Sequence, residues 1–265
     1  LFKYNPSLNY APYGCVPYCY GSNSVHFTGY ADVANFSNVK IAMSAYHGSH
    51  KSGTSSYFTI ADYLAGNLYQ DNYGAYVDSI VNDNNERIGL QFMFASLLYG
   101  SVYQFEIIVS PDSITNYLWG LETTGVGKCD IWSDDATYSK SDMISSSDTE
   151  FPFASKPSNY VDPDTLQNMC SSFQCLPSVI TVANYNNENG YVNNLGNWIN
   201  TGGNRGEIAS TSSTGPTRNG LQKPDLAASG QTTISSYPSY LLSFLTDAQL
   251  GQGGLHYING GTSMA

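Results

Sequence analysis

Charge is scarce in this sequence. Only 12% of its 265 residues are charged, and 10 Lys and Arg stand against 21 Asp and Glu, a formal net charge of −11. A surface so short of cations repels polyanions, which argues against nucleic acid and anionic membrane surfaces as partners. No apolar run approaches the ~20 residues that span a bilayer, so no membrane span is expected. Nor does Leu1 open a basic-then-apolar leader, and the chain reads as a mature, soluble piece. Histidines number 4 and cysteines 5, and Cys15, Cys19, Cys129, Cys170 and Cys175 match no zinc or haem spacing. No cofactor is therefore expected. Cys15–Cys19 and Cys170–Cys175 could bridge in an oxidising compartment, leaving Cys129 over; buried thiols are the alternative.

What the chain has in quantity is tyrosine (22), glycine (25), Asn and Ser, within a hydrophobic content of 41%. At this length that supplies a sizeable core, in one large domain or one domain carrying an insertion. The low charge and polar, loop-rich composition suit a secreted or cell-surface protein, and the sequon Asn35-Phe36-Ser37 agrees with that compartment.

Residues 1–31 show no period and read as loop or extended chain. Val39 to Ala45 and Leu90 to Ala95 are short, nearly continuous apolar runs, as is Val179 to Val182. Runs without clean alternation suit strands covered on both faces, which predicts an α/β, three-layer core with these three runs in one mostly parallel central sheet. A short helix is expected from Tyr57 to Leu64. From about 102 to 156 the text is strand-like, with Tyr103 to Val109 and Gly127 to Trp132 between turn residues, and reads as a β-rich insertion. Acid pairs such as Asp134-Asp135 read as solvated loop; a structural calcium needs several converging oxygens and stays open.

The last eight residues, Ile258-Asn259-Gly260-Gly261-Thr262-Ser263-Met264-Ala265, organise the rest. Two glycines allow a sharp turn and close approach of a ligand, and the residues after them can open a helix whose first N–H groups are unpaired. A serine there is exposed in a positive field, where a nucleophile attacking a carbonyl belongs, because those N–H groups can bind the oxyanion. The alternative is a plain loop or helix cap.

Upstream, Ser210-Thr211-Ser212-Ser213-Thr214-Gly215-Pro216-Thr217 leads to Lys223-Pro224-Asp225-Leu226-Ala227-Ala228-Ser229-Gly230, and earlier still stands Pro177-Ser178-Val179-Ile180-Thr181-Val182-Ala183. With Gly261-Thr262-Ser263-Met264-Ala265, these three ordered segments resemble the subtilisin-like serine proteases, the subtilases, over roughly the last third of the chain. The resemblance implies an α/β fold, a peptide or protein substrate and Ser263 as nucleophile.

Other family elements are fainter. His47-Gly48-Ser49-His50-Lys51-Ser52-Gly53 is similar to the family's histidine motif, which implies His47 as general base. A non-catalytic Gly-Ser-His loop found in some subtilases is the other match for this stretch. Leu64-Ala65-Gly66-Asn67 matches the motif of the side-chain oxyanion donor, implying that role for Asn67, while Gly89 to Ser96 has the strand setting but lacks the asparagine. No Asp-x-Gly strand precedes His47; Asp32 is the only acid before it. The family continues past its nucleophile into a helix, so residues 1–265 are read as a truncated catalytic domain. Two functions follow: a serine endopeptidase, or a catalytically inactive relative serving as a binding or structural surface protein.

Overall fold

Alternation governs the first part of the chain. In β2 (Val25–Asp32) the residues Val25, Phe27 and Ala31 are buried, and in β8 (Val102–Pro111) Tyr103, Phe105, Ile107 and Val109 are buried, each with neighbours less so. β2 and β8 pair antiparallel with Phe27 opposite Ile107 and Val25 opposite Val109, so both inward rows fall on one face. The computed structural model describes residues 2–4, 24–112, 117–133, 141–164, 169–170 and 172–265. They divide into two units, Leu1–Pro163 and Asp164–Ala265.

The first unit is one 11-stranded sheet. Besides β2 and β8 it contains β1 (Phe2–Tyr4), β3 (Lys40–His47), β4 (His50–Thr54), β5 (Phe58–Thr59), β6 (Tyr76–Asn82), β7 (Arg87–Leu98), β9 (Leu118–Thr124), β10 (Cys129–Ser133) and β11 (Ser141–Met143). The order is β10-β2-β8-β7-β6-β4-β3-β9-β1-β11, with β5 also on β3, and every pairing is antiparallel. The sheet curls until β11, at one end, lies against β2 and β10 at the other. Inside the curl Phe27, Ile41, Met43, Ile80, Met93 and Phe105 pack into a single core. Curling removes most free strand edge, which an open sheet of this width would expose to other chains.

Helix is confined to short connectors, α1 (Val33–Phe36) and α2 (Ile60–Leu64). Thr59 caps α2 by accepting from the Asp62 N–H, which explains why the helix starts at Ile60 and not at Tyr57. The expected strands Tyr103 to Val109 and Gly127 to Trp132 lie in β8 and β10, and both pair with β2 as part of the main sheet.

The second unit is built from three small sheets. β12 (Val182–Asn186) runs parallel to β15 (Leu226–Gln231). β13 (Gly190–Val192) pairs with β14 (Trp198–Asn200), and β16 (Thr233–Ser236) with β17 (His256–Asn259), both antiparallel. Cys170 and Cys175 are thiols, with the Cys175 Sγ 3.6 Å from the Cys170 carbonyl oxygen, so that bridge is not formed. Cys15, Cys19 and Asp134-Asp135 lie outside the described residues.

This architecture overturns the expected α/β, three-layer core with a mostly parallel, helix-flanked central sheet. The structure is 43% strand and 9% helix, with a curled antiparallel sheet and one small parallel one. Val39 to Ala45 and Leu90 to Ala95 do form strands, β3 and β7, but β6 and β4 stand between them, and β12 belongs to a different sheet. The runs lack alternation for a reason other than parallel pairing. On β3 the row Ile41, Met43, Ala45 fills the core while Ala42 and Ser44 are also buried, and on β7 Met93 faces the core while Phe92 joins Ala75 and Ile108 in a second cluster. Both faces of an antiparallel strand are covered. Of the predicted run Val179 to Val182 only Val182 lies in a strand; Val179 is a bend whose N–H donates to the Leu176 carbonyl, and Ile180 and Thr181 are irregular.

Candidate active site

The second unit assembles Ser263 from the segments that the sequence singled out. Lys223-Pro224-Asp225 ties the entry of β15 to the entry of β12. The Lys223 ammonium, its side chain 1% exposed, donates to the Val179 carbonyl at 2.5 Å and to Asp225 Oδ2 at 2.6 Å. Asp225 Oδ2 also accepts from the Thr181 N–H at 2.7 Å, and the Asp225 N–H returns a bond to the Thr181 carbonyl. The register that follows, Val182 opposite Leu226 through Tyr185 opposite Ser229, is fixed by this latch.

The same latch predicts an acid response. Lys223, and then the Thr181 N–H, hold the Asp225 carboxyl below its ordinary value. A carboxyl whose folded pKa is depressed contributes stability that is present above the unfolded value, about 3.9, and lost as pH falls through the folded value. The unfolding midpoint of this unit should therefore fall on acidification below about pH 4. Thermal melts of Asp225→Asn should show a flatter acid limb, and an unchanged limb would remove Asp225 from the account.

β15 leads directly to the nucleophile segment. The Gly261 N–H donates to the Gly230 carbonyl at 2.9 Å, which docks the Gly-Gly turn on the end of β15. β17 arrives beside it as half of an antiparallel pair with β16, with Ile258 opposite Ile234 and buried. Gly261 has φ +137 and ψ 165, a backbone region that only glycine enters freely. After it, Thr262–Met264 forms a single 3-10 turn with Ser263 exposed. Met264 N–H bonds to the Gly261 carbonyl and Ala265 N–H to the Thr262 carbonyl at a long 3.4 Å. The Thr262 and Ser263 N–H groups have no partner among the described residues, which leaves donors beside the Ser263 hydroxyl.

Gly230 is needed for a second reason. A Cβ there would stand 2.6 Å from Asn184 Oδ1, 2.8 Å from the Gly261 carbonyl oxygen and 2.9 Å from the Ala265 nitrogen. No side chain fits where β15, β12 and the nucleophile turn converge. Next to this point, the Asn186 and Gln231 ends of β12 and β15 border an open cleft of about 340 Å³, with Thr201, Glu207 and Ser210 on its walls. Clefts outside the carboxyl ends of parallel strands are where such sheets take ligands.

The other sequence-nominated residues lie in the first unit. His47 ends β3 and His50 begins β4, paired across the two-residue turn Gly48-Ser49, so the histidine stretch is a β-hairpin tip. His47 is exposed, with its ring edge-on to Tyr117 at 6.3 Å. His50 Nε2 stands 3.8 Å from Asp83 Oδ2. Lys51, where the family has an apolar residue, donates to Glu122 Oε2 at 2.8 Å, and Tyr57 donates to the same oxygen at 2.7 Å. Burial pushes the Glu122 carboxyl up, but the Lys51 and Tyr57 bonds outweigh it and hold it low, while Tyr57 is pushed up to about 12, first by its Glu122 bond. Asp32 ends β2 and precedes α1. In the sheet order β8, β7, β6 and β4 stand between β2 and β3. Asn67 follows α2, where its Nδ2 donates to Asp62 Oδ1 at 3.2 Å and its N–H to the Asp62 carbonyl. Thr59 and then Asn67 hold the Asp62 carboxyl low.

Sequence reasoning passed over Asn184, whose side chain is fully buried with neither Oδ1 nor Nδ2 bonded among the described residues. The signal was present in the sequence: an amide interrupts an apolar strand right after Val182-Ala183.

Among the described residues no group of three or more His, Cys, Asp and Glu could hold a metal ion, and no helix is long and apolar enough to cross a membrane. Residues 134–265 match the family model of the Subtilase family, a family of serine proteases acting on peptides and proteins. No curated protein and no solved structure matches the chain.

Proposed function

We propose that the chain belongs to a serine endopeptidase whose nucleophile is Ser263. The observation that carries this reading is the setting of Ser263, an exposed hydroxyl on a glycine-made turn whose first N–H groups have no partner among the described residues, inside the segment that matches the family. In this reading Ser263 Oγ attacks the scissile carbonyl carbon as a base takes its proton, and the carbonyl electron pair moves onto oxygen. The Ser263 N–H donates to that oxyanion. Collapse breaks the C–N bond, the base returns the proton to the leaving amine, and water repeats the sequence on the acyl-enzyme. The cleft bordered by Asn186 and Gln231 offers room for a neighbouring substrate side chain. Labelling with a serine-directed phosphonate tests the reading: modification mapped to Ser263 supports it, and an inert Ser263 overturns it.

His47 is the proposed base and Asn67 the proposed second oxyanion donor, on the strength of the motif resemblance. In that role Asn67 would exchange its Asp62 bond for the substrate oxygen. His47→Ala is expected to lower kcat by about 10⁴-fold or more. Turnover within tenfold of wild type would take the role from His47. Action outside the cell or at its surface is the proposed location, supported by the low charge and the sequon at Asn35.

The inactive-relative reading is favoured by two observations. The His47 stretch is a hairpin tip and not a loop followed by a helix, and the Asn67 amide is already engaged with Asp62. The same labelling experiment separates the two readings.

A further inference from the structure

A buried carboxamide without partners is expensive, since each unsatisfied group has lost its water and gained nothing in return. Such groups are rare in folded proteins and need a reason. Asn184 lies in the middle of β12, opposite Ala228 of β15, and its backbone is fully employed: its N–H donates to Ser212 Oγ at 3.0 Å and its carbonyl accepts from Ala209 N–H at 2.9 Å. Its side chain is 0% exposed and neither amide atom is bonded among the described residues.

The direction of that side chain gives the reason. Oδ1 lies 2.6 Å from the point where a Gly230 side chain would begin, the Gly261 carbonyl oxygen 2.8 Å and the Ala265 nitrogen 2.9 Å from the same point. A carboxamide holds one acceptor and one donor group, and the turn offers it one donor, Ala265 N–H, and one acceptor, the Gly261 carbonyl. These two backbone groups flank Ser263 on either side. The Ala265 N–H is at present held only by the 3.4 Å bond to Thr262, and the Gly261 carbonyl, which accepts from Met264, has a second lone pair.

We infer that Asn184 is a positioning residue for Ser263: its carboxamide closes on Ala265 N–H and the Gly261 carbonyl when the nucleophile turn tightens around the tetrahedral intermediate. Asn184 touches no reacting atom. It clamps the two ends of the turn, and so fixes the Ser263 hydroxyl and N–H relative to each other. The carboxamide stays unpaired in the resting state and gains its bonds as the oxyanion forms, so its contribution goes to the transition state. The inference rests on the proposed role of Ser263.

The test uses the full-length protein and three readouts: the rate of phosphonate labelling at Ser263, kcat and KM on a peptide substrate, and the thermal midpoint. Asn184→Ala should slow labelling and lower kcat by about 10–100-fold, the scale of a misplaced reacting group, with KM little changed. Its thermal midpoint should equal or exceed that of wild type, because an unpaired buried amide has been removed. Asn184→Asp supplies the rescue. While its carboxyl is protonated it offers both an acceptor and a donor, so its labelling rate relative to wild type should be near one at low pH and fall as that carboxyl ionises. Labelling of Asn184→Ala within twofold of wild type, or a midpoint that drops in step with activity, would overturn the inference and leave the peptidase reading standing. Failure of wild-type protein to react at Ser263 would overturn both.

Discussion

Ser263→Ala is expected to reduce peptide hydrolysis by about 10⁴–10⁶-fold, the scale on which removing a nucleophile acts when it works as a unit with its base. The substitution removes one hydroxyl from an exposed position in a 3-10 turn and leaves the Ser263 backbone N–H and its neighbours unchanged. Folding should be barely affected, because an exposed hydroxyl with no partner among the described residues contributes little, and alanine is at home in a helical turn. Phosphonate labelling should vanish with activity while the thermal midpoint stays put. That combination separates loss of chemistry from loss of structure. Turnover retained in Ser263→Ala would end the nucleophile assignment, and with it the reading of the Gly-Gly turn as catalytic.

Lys223→Met is expected to destabilise the second unit by about 2–3 kcal/mol, the largest stability effect of any single replacement considered in that unit. Two effects compete. Replacing a buried ion by an apolar chain of similar volume removes a desolvation penalty, and exchanging whole buried pairs for hydrophobes is often neutral. Here only one partner goes. The Val179 carbonyl loses its donor, and Asp225 keeps the Thr181 N–H but no cation. Lost charge-assisted bonds outweigh the recovered desolvation, so the sign is destabilising. A lower urea midpoint, followed with a probe in this unit, checks it. The double variant Lys223→Met with Asp225→Asn should be less destabilised than the two single effects added together, because both report the same latch. Strict additivity would show that the latch is not a unit.

The latch also marks where the sequence was readable. Lys223-Pro224-Asp225, the alanines after it and the Gly-Gly-Thr-Ser turn each owe their form to local chemistry, a buried lysine paired with an exposed carboxylate, a close approach at Gly230 and a positive φ at Gly261, so they announce themselves in one dimension. Val39 to Ala45 and Leu90 to Ala95 announced strands but not partners. Period alone cannot tell a parallel strand between helices from an antiparallel one covered on both faces, and Ser44, buried with its hydroxyl on the Gly120 carbonyl, shows how the second case hides its polar signal. The histidine stretch carries two readings at once. His47-Gly48-Ser49-His50 reads as a catalytic motif by letter, but a two-residue turn between strand-forming segments is also a hairpin signature, and Lys51 with its Glu122 partner fits the hairpin. Asn184 escaped notice because its meaning depends on Gly230 and Ala265, residues distant in sequence.

The parallel pairing of β12 with β15 bears on the order in which this protein becomes itself. It joins Val182 to Leu226 across a long intervening segment, and a parallel pair has no tight turn to nucleate it, so the entropy of closing that loop falls due before any ladder bond repays it. The Gly261 N–H can dock on the Gly230 carbonyl only once β15 is in place. The nucleophile turn is therefore among the last parts to take shape on a newly made chain, and a half-folded molecule carries Ser263 without the geometry to use it. Under the proposed peptidase reading, late assembly of the nucleophile turn is a form of restraint written into the topology.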